Sequence, residues 1–174
     1  MTTNLFLERT FDEPLTPADV VDGGRESAQC FDFHRVRWHG SFLSRDGRTM
    51  ICRFSAADTE SARLALRDPD TDLSRLWSGT VHKSGKPGAP KVVVERAFAA
   101  PVRFEDIAAI ALGKPWCFET HRATHTHSFF SLDGRRMLCF YDAPDAEAVR
   151  IAQREAAMPA SAVWAGELIT KDRR

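Results

Sequence analysis

One stretch occurs twice in this chain, and that repetition constrains the fold more than any other feature. Residues 41–63 read SFLSRDGRTMICRFSAADTESAR, and residues 128–150 read SFFSLDGRRMLCFYDAPDAEAVR. The offset of 87 residues that carries Gly47 to Gly134 also pairs, without a gap, Glu8-Arg9 with Glu95-Arg96, Pro14 with Pro101, Cys30 with Cys117, His34 with His121 and Trp77 with Trp164. About a third of the aligned positions are identical, which marks an internal duplication rather than chance. The reading is two modules of roughly 80 residues, over 4–82 and 91–170. A lone module of that size buries a limited share of its surface, so the two copies are expected to pack on each other and share a core.

Charge narrows the function. Lys plus Arg equals Asp plus Glu, 24 of each, and no basic run offers a nucleic-acid surface. The Lys-containing segment His82–Lys86 falls between the copies and reads as the start of a linker, with Ser84–Pro90 irregular because of its Gly and Pro. No apolar run reaches the ~20 residues a bilayer crossing needs, and the start lacks the pattern of a signal peptide. The four cysteines are two duplicated positions, Cys30/Cys117 and Cys52/Cys139. That is the usage of small buried hydrophobes in a reducing compartment rather than a disulfide framework. These features predict a cytoplasmic protein, monomeric or weakly self-associating.

Within each copy the elements follow one order. Leu5–Phe11 and Val92–Phe98 are β-prone. Thr16-Pro17 is an N-cap followed by Pro at the first helical position, predicting a helix to about His34 with Gly23-Gly24 as its weak point. In the second copy the helix starts near Phe104 and breaks at Gly113-Lys114-Pro115. Asp46-Gly47 and Asp133-Gly134 then turn a hairpin. Asp58 and Asp145 open a second helix with acidic residues in its first turn, and a last strand carries Trp77 or Trp164, read as anchors between sheet and helix. The result is βαββαβ, the ferredoxin-like split motif. The fold class is therefore α+β, two tandem ferredoxin-like modules packed as a pseudo-dimeric α/β barrel.

The motifs E-R-x-F, C-x-x-x-H on a helix, S-x-x-S-x-D-G-x-x-M-x-C, A-P-D-A-E-A-V-R and a Trp-bearing last strand together resemble the DUF4242 family. The resemblance implies a ferredoxin-like fold that dimerises and small proteins described as nickel-binding or nickel-responsive. It covers nearly the whole chain, once per copy, and is closest from Ser131 to Val149.

The candidate chemistry gathers on the hairpins. A uniform register at Asp133-Gly134 pairs Phe129 with Leu138, His127 with Phe140 and His125 with Asp142. Alternation then puts His125, His127 and Phe129 on one sheet face, where the first copy carries Trp38, Gly40, Phe42 and Arg53. If that face lines a cavity between the sheets, the pocket holds Trp38, Phe42, Phe129, Phe140 and Glu8. His-x-His on a strand suits a transition metal, with Glu95 or Glu8 as further ligands. Read as an enzyme, His125 or His127 is the general base and Arg53 steadies developing negative charge. Against these stand the plainer readings of solvated or hydrogen-bonded structural histidines. Cys30-x-x-x-His34 and Cys117-x-x-x-His121 bring thiol and imidazole onto one helical face, though core packing of the cysteine explains them more simply. Of Glu8-Arg9 and Glu95-Arg96, one charge of each pair is expected in a cavity or a buried pair. No phosphate-binding glycine motif or hydrolase signature is present, so no nucleotide cofactor is expected. The leading expectation is a binding protein for a small ligand or a divalent transition metal such as nickel. The alternative is a cofactor-independent or metal-assisted tailoring enzyme on a small organic substrate.

Overall fold

The computed structural model describes residues 1–172 as a mixed α+β fold whose strand pairs are antiparallel. Two compact units divide the chain: Met1–Gly79 together with the residues from Glu167 onward, and Thr80–Gly166. Among the described residues no helix is long and apolar enough to cross a membrane.

The first unit runs β1 (Thr3–Thr10), α1 (Pro17–Glu26), α2 (Ala28–Phe33), β2 (Arg37–Ser44), β3 (Thr49–Ala56), α3 (Thr59–Ala65) and, after a short 3-10 turn, the start of β4 (Leu76–Lys83). β3 lies between β1 and β2, and β4 adds to the far edge of β1. Thr16 caps α1 through a full capping box with Asp19, and Pro17 occupies the first turn. The single helix expected up to His34 is instead two, broken at Ser27. Gly23 and Gly24 each weaken the preceding turn by about 1 kcal/mol relative to Ala, and α1 stops just after them. On the helix side, Leu5, Leu7, Met50, Cys52 and Phe54 of the sheet meet Val20, Phe31 and Ala62 of the helices.

The second unit contains β5 (Val92–Ala97), α4 (Phe104–Gly113), α5 (Pro115–Thr120), β6 (Thr124–Ser131), β7 (Arg136–Asp142), α6 (Ala146–Glu155) and most of β8 (Ala162–Ile169). The strand order is the same: β7 between β5 and β6, with β8 on the far edge of β5. Its helical layer breaks at Lys114, ahead of Pro115, where the sequence predicts it.

Local chemistry fixes the corners. Gly47 and Gly134 sit at φ of 72° and 68°, and a Cβ on either would strike a backbone oxygen, Leu15 O at 2.3 Å or Val102 O at 2.7 Å. Only glycine fits both the left-handed conformation and the close approach. Asp58 and Asp145 cap α3 and α6, each accepting a backbone N–H at 2.7 Å.

The last-strand tryptophans are not packed between sheet and helix. Leu76, paired with Leu7, takes the inward position in the helix-side core. Alternation therefore turns Trp77 to the opposite face, 4.6 Å from the Phe6 ring. Its indole N–H donates to Glu8 at 3.1 Å, and Trp164 donates to Glu95 at 2.7 Å.

Candidate functional site

The two histidines of the His-x-His segment do not share a face. A β-bulge between His125 and His127 shifts the register, so that His127 still opposes Phe140 while His125 opposes Tyr141 instead of Asp142. The extra residue reverses the side-chain alternation at that point. His127 stacks on Phe140 (4.4 Å, 8° between planes) and lies 5.2 Å from Phe129. His125 turns toward the helices, edge-on to Tyr141 at 5.5 Å. The first unit has the same irregularity between Trp38 and Gly40. Trp38 therefore joins the helix-side core, while Phe42, paired with Ile51, points the other way.

His125 opens onto a cavity of about 990 Å³ that lies wholly within the second unit. Ile107, Ala111 and Leu112 of α4, Phe118 of α5, and Met137 and Met158 give it apolar walls. His125, Ser128, Cys139 and Tyr141 supply polar atoms along the sheet side. The His125 Nε2 shares a 2.7 Å hydrogen bond with Ser128 Oγ, which in turn donates to Cys139 Sγ at 3.2 Å. His82 also lines the cavity, its ring stacked 3.7 Å from Phe104. Burial, with smaller contributions from the charges of Arg96 and Lys86, drives His125 down to about 4 against a counteracting hydrogen bond to the backbone of His127. At neutral pH its imidazole is uncharged. Burial likewise lowers His82.

Behind the cavity lies a buried cation that pairs with no carboxylate among the described residues. Arg96 donates to Gln153 Oε1 at 2.7 Å and to the carbonyl of Pro159. Its Nε, and Nε2 of Gln153, have no hydrogen-bond partner among the described residues. Tyr141 joins this group: burial pushes its hydroxyl up to about 12, with Arg96 and Gln153 acting in the opposite direction through charge and hydrogen bonding. Of Glu95-Arg96, it is thus the arginine that is enclosed on the helix side. Arg9, its partner in the repeat, instead lies 4.9 Å over the Phe11 ring.

The remaining predicted residues have other partners. Glu8 accepts from the Arg75 guanidinium as well as from Trp77, and Glu95 from Trp164. Arg53 donates to Asn4 Oδ1 at 3.3 and 3.0 Å on the face opposite the helices. Phe129 and Phe140 are buried with their rings 5.0 Å apart. The helical Cys-His pairs are not catalytic dyads: Cys30 is exposed and donates to Ala65 O, Cys117 is buried, and His121 bonds Glu155 at 2.9 Å. All four thiols are free. Ser128, Tyr141, His82 and the Arg96–Gln153 pair were not singled out from the sequence for this cavity. The signal was present in the 87-residue offset, which sets Tyr141 against Phe54 and Gln153 against Leu66.

Residues 93–165 match the family model described as nickel responsive protein SCO4226-like, a match confined to the second unit. Among solved structures, one titled "Putative Chlorite dismutase TA0507" aligns over 98% of this chain and 95% of its own, with 14% identity and a TM-score of 0.54. A second, an anthrone oxidase-like protein, covers 99% and 94% at 12% identity and a TM-score of 0.48. The first likeness shows the fold and nothing of the chemistry. No curated protein matches the chain by sequence. A nickel site does not assemble from the donors present. Among the described residues no three His, Cys, Asp or Glu side chains gather where an ion could bind. The bulge parts His125 from His127, and Glu95 is held by Trp164.

Proposed function

We propose that this chain is a binding protein for a small organic molecule, taken up in the helix-side cavity of the second unit. One observation carries the reading. Where the first unit buries the Trp38 indole beside a cavity of about 620 Å³, the second places His125 beside a larger one of about 990 Å³, largely apolar with a few converging polar groups. Ligand sites of small molecules have this character and span roughly 300–1,000 Å³. The common strand order of the two units supports reading them as a duplicated ferredoxin-like module of the α/β-barrel type. An imidazole held near 4 is a weak general base at neutral pH, so binding is favoured over His125-driven catalysis. The direct test is fluorescence titration with naphthalenemethanol, a neutral bicyclic alcohol. Saturable binding to the wild type, markedly weakened in His125→Trp/Ala111→Gly, supports the reading. No binding to the wild type of either this alcohol or its carboxylate and ammonium analogues overturns it.

A second reading is a transition-metal binder, favoured by the nickel-responsive family match over residues 93–165. The scattered donors require that any such ion take ligands the fold does not preassemble. Nickel content of tag-free protein, compared with His125→Ala and His127→Ala, decides it. Stoichiometric nickel that falls in either variant supports this reading, and metal-free protein that takes up none on titration ends it.

A further inference from the structure

We propose that the ligand of the second unit's cavity is an anionic aromatic molecule, a planar carboxylate being the simplest, seated with its ring inside and its charge at the rim. The inference rests on the organic-ligand reading above and adds the ligand's chemical class. Three observations lead to it. First, the charged residues along the cavity lining are unbalanced: Lys83, Lys86 and Arg122 face a single acid, Glu119. All three cations are exposed, and none forms an ion pair among the described residues. Second, the buried rear of the cavity adds to the same potential. Arg96, bonded to an amide and a carbonyl rather than a carboxylate, lies beside Tyr141 and Cys139. Its charge and that of Lys86 reach His125, which burial keeps neutral. An anion is the partner that relieves a field of this sign, and a cleft with apolar walls concentrates it. Third, five rings line the cavity: His82, Phe104, Phe118, His125 and Tyr141. Aromatic faces and edges favour a flat aromatic guest over a flexible chain. The first unit shows the scale of such a guest, since at the position of His125 it holds an indole whose N–H donates to Ser41 at 3.0 Å.

Three probes of one shape separate body from charge: naphthoate, naphthalenemethanol and naphthalenemethylammonium, titrated into the full chain at low and high salt. Naphthoate should bind about tenfold more tightly than the alcohol, the sum expected of three exposed charge contacts, and the ammonium most weakly. High salt should shrink the gap. The variant Lys83→Gln/Lys86→Gln/Arg122→Gln alters exposed residues only, and it should lose the preference for naphthoate while binding the alcohol as the wild type does. Alcohol and ammonium binding as tightly as naphthoate would overturn the anionic class and leave the organic-ligand reading standing. Failure of all three probes to bind would overturn both.

Discussion

Trp38 and His125 occupy the same step of the repeat, follow the same kind of bulge, and hydrogen-bond the same serine, Ser41 in one unit and Ser128 in the other. The serine in each case donates onward to a buried cysteine, Cys52 or Cys139. What differs is volume. The indole packs against Gly24, where an added Cβ would stand 2.8 Å from the ring, and walls a cavity of about 620 Å³. In the second unit the position 87 residues later is Ala111, and the imidazole leaves room in front of it. Two further exchanges, Phe54 against Tyr141 and Leu66 against Gln153, add polar groups beside that space, and Gln153 gives the buried Arg96 an acceptor. One scaffold thus supports a smaller cavity walled by an indole and a larger, polar-backed one. These four exchanges lie at the heart of the difference.

The largest expected effect comes from giving the first unit the smaller ring of the second. Trp38→His keeps a hydrogen-bonding nitrogen for Ser41 but removes most of a buried ring. It should cost about 3 kcal/mol, in the range of large-to-small core substitutions, read as a shift in urea midpoint at constant slope. A cost below about 1 kcal/mol would mean the first unit collapses onto the smaller residue, and the contrast in packing would then say little about function.

Next comes the pH dependence of the second unit. His125 is held at about 4, below an ordinary value of 6.5, so the folded state favours the neutral ring. That contribution is complete above about pH 6.5. As pH falls from there toward 4 the unfolded chain takes up the proton first and the stabilisation is lost. Denaturation across this window should show the wild type losing about 2 kcal/mol more than His125→Gln. Parallel curves for the two proteins would place His125 in solvent rather than in the cavity wall.

The repeat made much of the fold legible. Asp-Gly at both hairpins, Thr16-Pro17 at α1, Asp58 and Asp145 ahead of their helices, and Pro115 after a glycine each act through local backbone chemistry, which a sequence displays. The site was legible only in part. His125 stood out because its counterpart is Trp38, yet its direction depends on a bulge that shifts alternation by one residue, and no residue type announces that shift. The same error moved Trp38 onto the wrong face, since a uniform register carries both bulged positions along. Trp77 and Trp164 misled for another reason. Size suggested core anchors, but β4 and β8 turn Leu76 and Val163 toward the helices and leave the indoles to bond Glu8 and Glu95. Arg96 was hidden because a charge next to Glu95 on a strand reads equally well on either face.

Smaller effects sharpen the comparison. Gly24→Ala forces a methyl against the buried Trp38 ring and should cost about 1–2 kcal/mol by overpacking. In the Trp38→His background the same change should cost almost nothing, because the ring that opposes it is gone. A double-mutant cycle over these two positions measures that coupling. Costs that simply add would show that Gly24 is retained for the helix break at Ser27 and not for the indole.

The smallest expected effect is also the control. Asp58 and Asp145 cap α3 and α6 with the same geometry, each carboxylate accepting a backbone N–H at 2.7 Å. Neither aspartate lines the cavity. Where residue and geometry coincide in both units, the energetic response should coincide as well. Asp58→Ala and Asp145→Ala should each cost about 1 kcal/mol, the usual worth of an N-cap, and neither should alter binding of the naphthalene probes. α6 is the longer helix, ten residues against seven, and its Val149 and Ala152 are fully buried. Packing of that kind holds a helix independently of its cap. A markedly lower cost at Asp145 would therefore mean that the second unit draws its stability from α6 packing over the buried Arg96, the polar group that backs the cavity.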